Sequence, residues 1–425
     1  MKTKNLIIPI VSLLVAATAV AVGVYLYPYN PVEPPVADET GSTQEGIQAV
    51  VHANNQFAFD LYSELNKDPK QQGKNIFYSP YSISAALAMT SEGAKGQTAD
   101  EMQSVFHFPE NNILRPNFAA IYNKINENNK DYELRTGNAL WAQKDYPFLQ
   151  DYLDRVERYY AGKAANLDFI NQTEESRQTI NSFIEEQTND KIKDLIPKGV
   201  LGTLTRLVLT NAIYFKGTWQ WEFDKADTQD QDFKITPDNI VKVPMMYMKP
   251  NKAEFNYADL EKMQILELPY KGDKISMLIL LPKDNLESIE NSLTTEKFKE
   301  YKNQLEPIKL DEIYLPKFEF DTKYFMKDVL NALGMPTAFS MENADFSAMD
   351  GTLMLYISKV IHQAFIKVDE QGTEAAAATA VVMKLESIMP MSSNIFRVDH
   401  PFVFLIQEKD TGNILFLGKV LDPTK

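Results

Sequence analysis

The stretch whose residue types and spacing could do chemistry lies near the C-terminus. Val368-Asp369-Glu370-Gln371-Gly372-Thr373-Glu374 runs into Ala375 to Ala378, then Thr379-Ala380-Val381-Val382-Met383-Lys384-Leu385-Glu386-Ser387. Taken by itself the alanine run reads as a short helix or a loop, because alanine has the highest helix propensity. At period two, Thr373, Ala375, Ala377, Thr379, Val381 and Met383 form one uncharged face, while Glu374, Lys384 and Glu386 fall on the opposite phase. Such a segment can bury one face in a sheet and leave the other in water. The small side chains of Ala375, Ala376, Ala377 and Ala378 offer little steric resistance to entering between existing strands. Gly372 supplies a permissive backbone just before them. The residues alone leave helix, loop and strand open, and what they could do is change between them.

Conventional catalytic hardware is scarce. The chain has no cysteine, which excludes thiol nucleophiles, iron–sulfur clusters and cysteine zinc sites. The four histidines, His52, His107, His362 and His400, are too far apart for a helical His-x-x-x-His metal pair, and neither metal nor cofactor is expected. No G-x-S-x-G elbow, G-x-x-x-x-G-K-[ST] loop or H-E-x-x-H helix occurs. Gly93-Ala94-Lys95-Gly96-Gln97-Thr98 is only loosely like a phosphate loop, since it follows a helical pattern instead of a strand. Carboxylate pairs such as Glu185-Glu186 read as solvated surface in a chain with 58 acidic and 43 basic residues. That balance, a formal charge of −15, disfavours nucleic-acid binding, which needs a dense cationic surface. Asn171-Gln172-Thr173 is a glycosylation pattern, used only if the site is exposed outside a cell.

The elements that must position these residues begin after an N-terminal address. Lys2 and Lys4 precede an uncharged apolar run from Leu6 to Leu26, long enough to cross a bilayer. Ala19-Val20-Ala21 also resembles a cleavage site, so residues 1–27 read as a signal peptide or as a membrane anchor. Residues 28–47, rich in proline, read as an extended linker. The 425-residue chain thus leaves one large body, 48–425, expected outside the cell or anchored at its surface. Helical periodicity marks His52 to Asn66, Ser82 to Gly93 and Glu175 to Leu195. Strand-like runs follow at Thr205 to Lys216, Gln264 to Leu268, Ile275 to Leu281, Glu312 to Leu315, Phe365 to Val368 and Phe402 to Gln407. Helices cluster early and strands late, which predicts an α+β protein.

Blocks spread through the body resemble those of one protein family. Asn75-Ile76-Phe77-Tyr78-Ser79-Pro80-Tyr81-Ser82-Ile83-Ser84, continuing through Ala88-Met89 to Thr98, is similar to the family's second-helix block. Asn138-Ala139-Leu140-Trp141, Thr188-Asn189-Asp190-Lys191-Ile192, Leu209 to Trp219 and Leu315-Pro316-Lys317-Phe318 are similar to further blocks. Phe396-Arg397-Val398-Asp399-His400-Pro401-Phe402-Val403-Phe404-Leu405-Ile406 resembles the C-terminal signature, and the family that the body thus resembles throughout is the serpins.

The resemblance implies a metastable fold of three β-sheets and about eight to nine helices, with a reactive-centre loop near residues 371–396. It implies a monomeric inhibitor, not an enzyme. A serine protease, or across classes a cysteine protease, cleaves the loop and is trapped as an acyl-enzyme when the loop inserts into the central sheet. Glu370, Gly372, Thr373, the alanines 375–378 and Thr379 would form the hinge. Seventeen residues counted from Glu370 end at Glu386, implying a reactive bond at Glu386–Ser387 and a glutamyl-specific target. Cleavage at Lys384–Leu385 would instead suit trypsin-like enzymes, and Met383 or Leu385 chymotrypsin- or subtilisin-like ones. Ser79, Ser82, Asn211 and His362 match a polar cluster beneath the sheet. Trp219 and Lys317 match the point where insertion begins, with Lys317 an expected ion-pair partner of Glu370. The competing reading is a non-inhibitory, surface-anchored binding or scaffold protein on the same fold.

Overall fold

A computed structural model of the chain describes residues 36–127, 131–250, 253–373 and 394–425, all within one compact unit. The apolar run at 6–26 and the residues from Glu374 to Ser387 lie outside the described residues.

Three sheets organise the body. One, of seven strands, is built on apolar runs such as Ile275–Pro282 and Phe402–Glu408, in which every residue is buried. Continuous apolar runs of this kind mark strands covered on both faces. Phe77, Phe404 and Phe416 stack within it, and Phe77 meets Phe320 of the central sheet edge to face. A second sheet has four strands: Ile395–Arg397, Glu312–Pro316, Asn239–Met248 and Gln229–Thr236.

The central sheet carries the architecture that matters here. Its two longest strands, Leu207–Thr218 and Ile357–Asp369, run parallel and pair directly from Ile357↔Leu207 to Ala364↔Ile213. Beyond that point the two-residue strand Gly372–Thr373 lies between them, antiparallel to both. On the outer side of Leu207–Thr218 lie Tyr132–Thr136 and Ala139–Gln143.

Helix Pro80–Ser91 passes beneath this sheet. It starts where Ser79 caps it, accepting from the Ser82 N–H (3.1 Å), with Pro80 in the first turn. Nearly all of its residues are buried, which its small side chains allow. Helix Thr173–Gln187 covers the opposite face. Ile180 and Ile184 form with Trp141, Val208, Ala212 and Ile361 a small core separate from the main one.

Several expectations change. The described residues hold ten α-helical segments, not eight to nine, because Glu287–Glu290 and Ser347–Asp350 are single helical turns. The helix expected over 175–195 stops at Gln187. Asn189 and Asp190 take left-handed conformations just past its end, and Ile192 and Leu195 continue the apolar pattern without helical geometry. The strand read at 365–368 begins at Ile357, its first half hidden by the polar His362 and Gln363. Residues 36–47, read as linker, are held against the body. Ala37 exchanges hydrogen bonds with Asn123, Arg158 Nε donates to Asp38 (2.7 Å), and the first helix already starts at Gln44. No helix among the described residues is long and apolar enough to cross a membrane.

Candidate functional site

Two clusters hold the parallel pair of strands, one below the fork and one at it. Below, His362 faces Asn211 across the pair, and both are fully buried with Ser79 and Ser82. Hydrogen-bond logic assigns the imidazole proton. The Ser82 carbonyl can only accept, so the Asn211 amide nitrogen faces it (2.6 Å) and turns Asn211 Oδ1 toward His362 Nδ1. The Ser79 N–H can only donate, so it bonds His362 Nε2 (3.1 Å) as an acceptor. His362 is therefore neutral with its proton on Nδ1. Burial pushes its pKa down to about 3, against a smaller opposing pull from Asn211. Asn138 joins the cluster, accepting from Ser82 Oγ (3.0 Å) and Asn211 Nδ2 (2.5 Å).

At the fork, Glu370 sits at the turn between Ile357–Asp369 and Gly372–Thr373 and is buried. Its carboxylate accepts from Lys317 Nζ at 3.0 and 2.8 Å and from Thr228 Oγ1 at 2.8 Å. Burial alone would raise its pKa, but the hydrogen bonds from Lys317 and Thr228 hold it below the ordinary glutamate value. The turn backbone is bound to the opposite strand end. Trp219 N–H donates to the Gln371 carbonyl (2.8 Å), Trp219 Nε1 to that of Asp369 (3.0 Å), and Phe223 N–H to that of Glu370 (2.8 Å).

Trp219 stacks on Tyr270, with centroids 4.5 Å apart, and the Tyr270 hydroxyl meets Thr373 Oγ1 at 2.6 Å. Gly372 is demanded by space: a Cβ there would lie 2.0 Å from the Gly217 carbonyl oxygen. Thr373 is thus clamped as the first rung of a strand between Val368 and Gly217.

The register of the sheet matches on both sides of the fork. His362 and Asn211, which pair directly, are 151 residues apart, and so are Val368 and Gly217, which flank Thr373. A strand extended downward from Thr373 would need the pair to part sideways, without sliding past each other.

A family model described as Serpin (serine protease inhibitor) matches residues 52–423. The chain belongs to the serpin family. An uncharacterized serpin-like protein of Methanosarcina mazei is 44% identical over 378 residues, spanning 88% of this chain and 87% of that one. Leukocyte elastase inhibitor A of Mus musculus is 39% identical over 385 residues, 89% of this chain and 100% of the relative. Among solved structures, uncleaved ovalbumin matches with a TM-score of 0.78 at 32% identity, covering 88% of this chain and 100% of that chain. Human thyroxine-binding globulin matches with a TM-score of 0.80 at 33% identity, covering 89% and 100%.

The structure of this serpin brings Ser79, Ser82, Asn211 and His362 into one hydrogen-bonded cluster, and Trp219, Lys317, Glu370, Gly372 and Thr373 into another. The remaining hinge residues, Ala375, Ala376, Ala377, Ala378 and Thr379, lie outside the described residues, as do Lys384, Leu385, Glu386 and Ser387. Asn171 stands at an exposed turn, but its amide is tied to Asp168 (3.1 Å) and the Thr173 hydroxyl donates to the Phe169 carbonyl. His400 is a turn residue between Asp399 and the Pro282 carbonyl.

Tyr270, Thr228 and Asn138 were not anticipated as site residues. Asn138 stands in a family-like block, which was its only signal; nothing local marks Tyr270 or Thr228. No group of three or more histidine and carboxylate residues suited to a metal ion exists among the described residues.

Proposed function

We propose that this serpin is a suicide inhibitor of serine proteases, exported and acting outside the cell or at its surface. The observation that carries the reading is the clamped rung at Gly372–Thr373, which lies between two strands whose register is already matched for a longer insertion. The small residues 375–378 that follow it support the same reading.

In this mechanism the protease serine Oγ attacks the carbonyl carbon of Glu386. The C–N bond to Ser387 breaks, and the segment from Ser387 leaves with the proton delivered to its new amine. The ester that remains must outlive the insertion step, because water returns both a free protease and a spent, cleaved serpin. The chain supplies no catalytic group. Its contribution is the free energy of adding a strand to the central sheet.

Incubation with glutamyl-, trypsin-, chymotrypsin- and subtilisin-type proteases tests the proposal. One of them should give an SDS-stable covalent complex and a released peptide beginning at Ser387. A peptide beginning at Leu385 would move the bond to Lys384 and the target to a trypsin-like enzyme. Cleavage by every protease without any complex would assign the fold to a non-inhibitory binding or scaffold role.

A further inference from the structure

A cleft of about 580 Å³ opens between helix Gln44–Lys67, the helical turn Glu287–Glu290 and the start of helix Thr295–Lys302. It shares no residue with the fork or with the His362 cluster. Its walls are tied together by the fold itself. Phe59 packs on Phe298 with ring centroids 5.6 Å apart. The Tyr62 hydroxyl donates to Glu290 (2.6 Å), which also lies 3.3 Å from the Lys419 ammonium.

The lining is acidic: Asp60, Glu287, Glu290 and Glu296 stand against Lys67 and His107. Asp60 is matched by His107 Nε2 at 2.7 Å and Glu290 by Lys419, while Lys67 pairs with Glu64 at 3.3 Å. Glu287 and Glu296 are exposed and have no ion-pair partner among the described residues. Beside Glu296 the same wall carries a second unmet group. Thr295 Oγ1 is buried and finds no hydrogen-bond partner among the described residues. Such atoms are rare in a native fold, and this one calls for a partner from outside the chain.

These groups select the ligand by charge and shape. Four carboxylates oppose an anion, and the N-terminus of helix Thr295–Lys302 is already capped by Thr294 Oγ1, which accepts from the Lys297 N–H (3.3 Å). The carboxylates do not converge on one point either: no group of three or more with His107 suits a single metal ion among the described residues. Separated carboxylates with a hydroxyl beside them suit a cation whose charge is spread along a chain, with N–H donors at intervals.

We propose that this cleft binds a linear polyamine, with one ammonium held by Glu296 and the Thr295 hydroxyl and another by Glu287. The methylene segments between them lie against Phe59 and Leu293, the buried apolar part of the lining. Because the walls are preformed, little ordering opposes binding. The ligand joins helix Gln44–Lys67 to the turn and helix across the cleft, and so favours the folded state by mass action.

Isothermal titration calorimetry of the full chain with spermidine tests the site, at about 0.15 M salt to screen the diffuse charge of an acidic protein. A saturable site for one spermidine is expected. E287Q/E296Q should weaken it roughly ten-fold or more. D230N/D238N, which removes the same two charges from exposed positions outside the cleft, should leave it unchanged within about two-fold. T295V keeps the shape of the side chain but lacks the hydroxyl, and should weaken binding about three-fold. Circular dichroism spectra of all three variants should match the parent's. Absence of a saturable site, or equal weakening by the two carboxylate pairs, would overturn the proposal. Nα-acetyl-lysine amide is the second probe. Binding as tight as that of spermidine would assign the cleft to a lysine side chain of a partner protein and overturn the polyamine.

Discussion

At the scale of single residues, the latch below the fork depends on a histidine that stays neutral. A folded-state pKa of about 3 for His362 means the native protein takes up no proton there as pH falls below the ordinary value of 6.5. Any state that exposes the ring does take one up. The latch therefore contributes fully above pH 6.5, and that contribution declines between pH 6.5 and 3 by about 1.4 kcal/mol per unit. From pH 7 to 5 the expected loss is about 2 kcal/mol, read as a drop in the urea midpoint. His362→Gln should show a flatter dependence, and equal slopes would refute the assignment. His400, whose pKa is raised, acts in the opposite sense and is unchanged in that comparison. The ion pair at the fork makes a second prediction. Glu370→Lys would set an ammonium against Lys317 and leave Thr228 without its acceptor, freeing the turn from its anchor. Heated samples of this variant should form polymer ladders on native gels sooner than the parent; identical ladders would sink the idea.

At the scale of elements, the decisive piece is the two-residue strand Gly372–Thr373. Thr373 is fully buried, bonded to Tyr270 and lodged between two strands, so a charged side chain there must either be buried at high cost or expel the rung. Thr373→Arg should slow insertion relative to hydrolysis. The number of inhibitor molecules consumed per protease should rise on the order of ten-fold, with the cleavage rate unchanged. Titration of residual protease activity measures this, and an unaltered ratio would count against the rung as the start of insertion. Helix Thr173–Gln187 lies over the same two strands on its own small core, in which Ile180 and Ile184 meet Val208, Ala212 and Ile361.

At the scale of the whole molecule, the parallel pair is what a longer inserted strand would replace. Each long strand would gain an antiparallel neighbour along its full length, and antiparallel ladders are somewhat the more stable per residue. The loop-cleaved protein should accordingly remain folded at the temperature where the intact protein has fully unfolded. Differential scanning calorimetry before and after limited proteolysis decides this, and coincident melts would argue against insertion.

Much of this was legible without coordinates. The family blocks, the order of helices and strands, and the uncharged period-two face beginning at Thr373 follow from side-chain type and local periodicity, which act over a few residues. The ends of elements were less legible where local rules competed with tertiary contacts. Ile192 and Leu195 keep a helical rhythm, but the left-handed Asn189 and Asp190 turn the chain so that they pack on the sheet. Tyr270 and Thr228 were invisible because their partners, Thr373 and Glu370, lie more than a hundred residues away. The sequence by itself determined which fold the chain adopts and where the segment expected to change between loop and strand begins. Only the tertiary structure decided that Gly372 and Thr373 are seated between the two long strands and that His362 is neutral. Pairings across 151 residues are set by sheet register and burial, which no local pattern encodes.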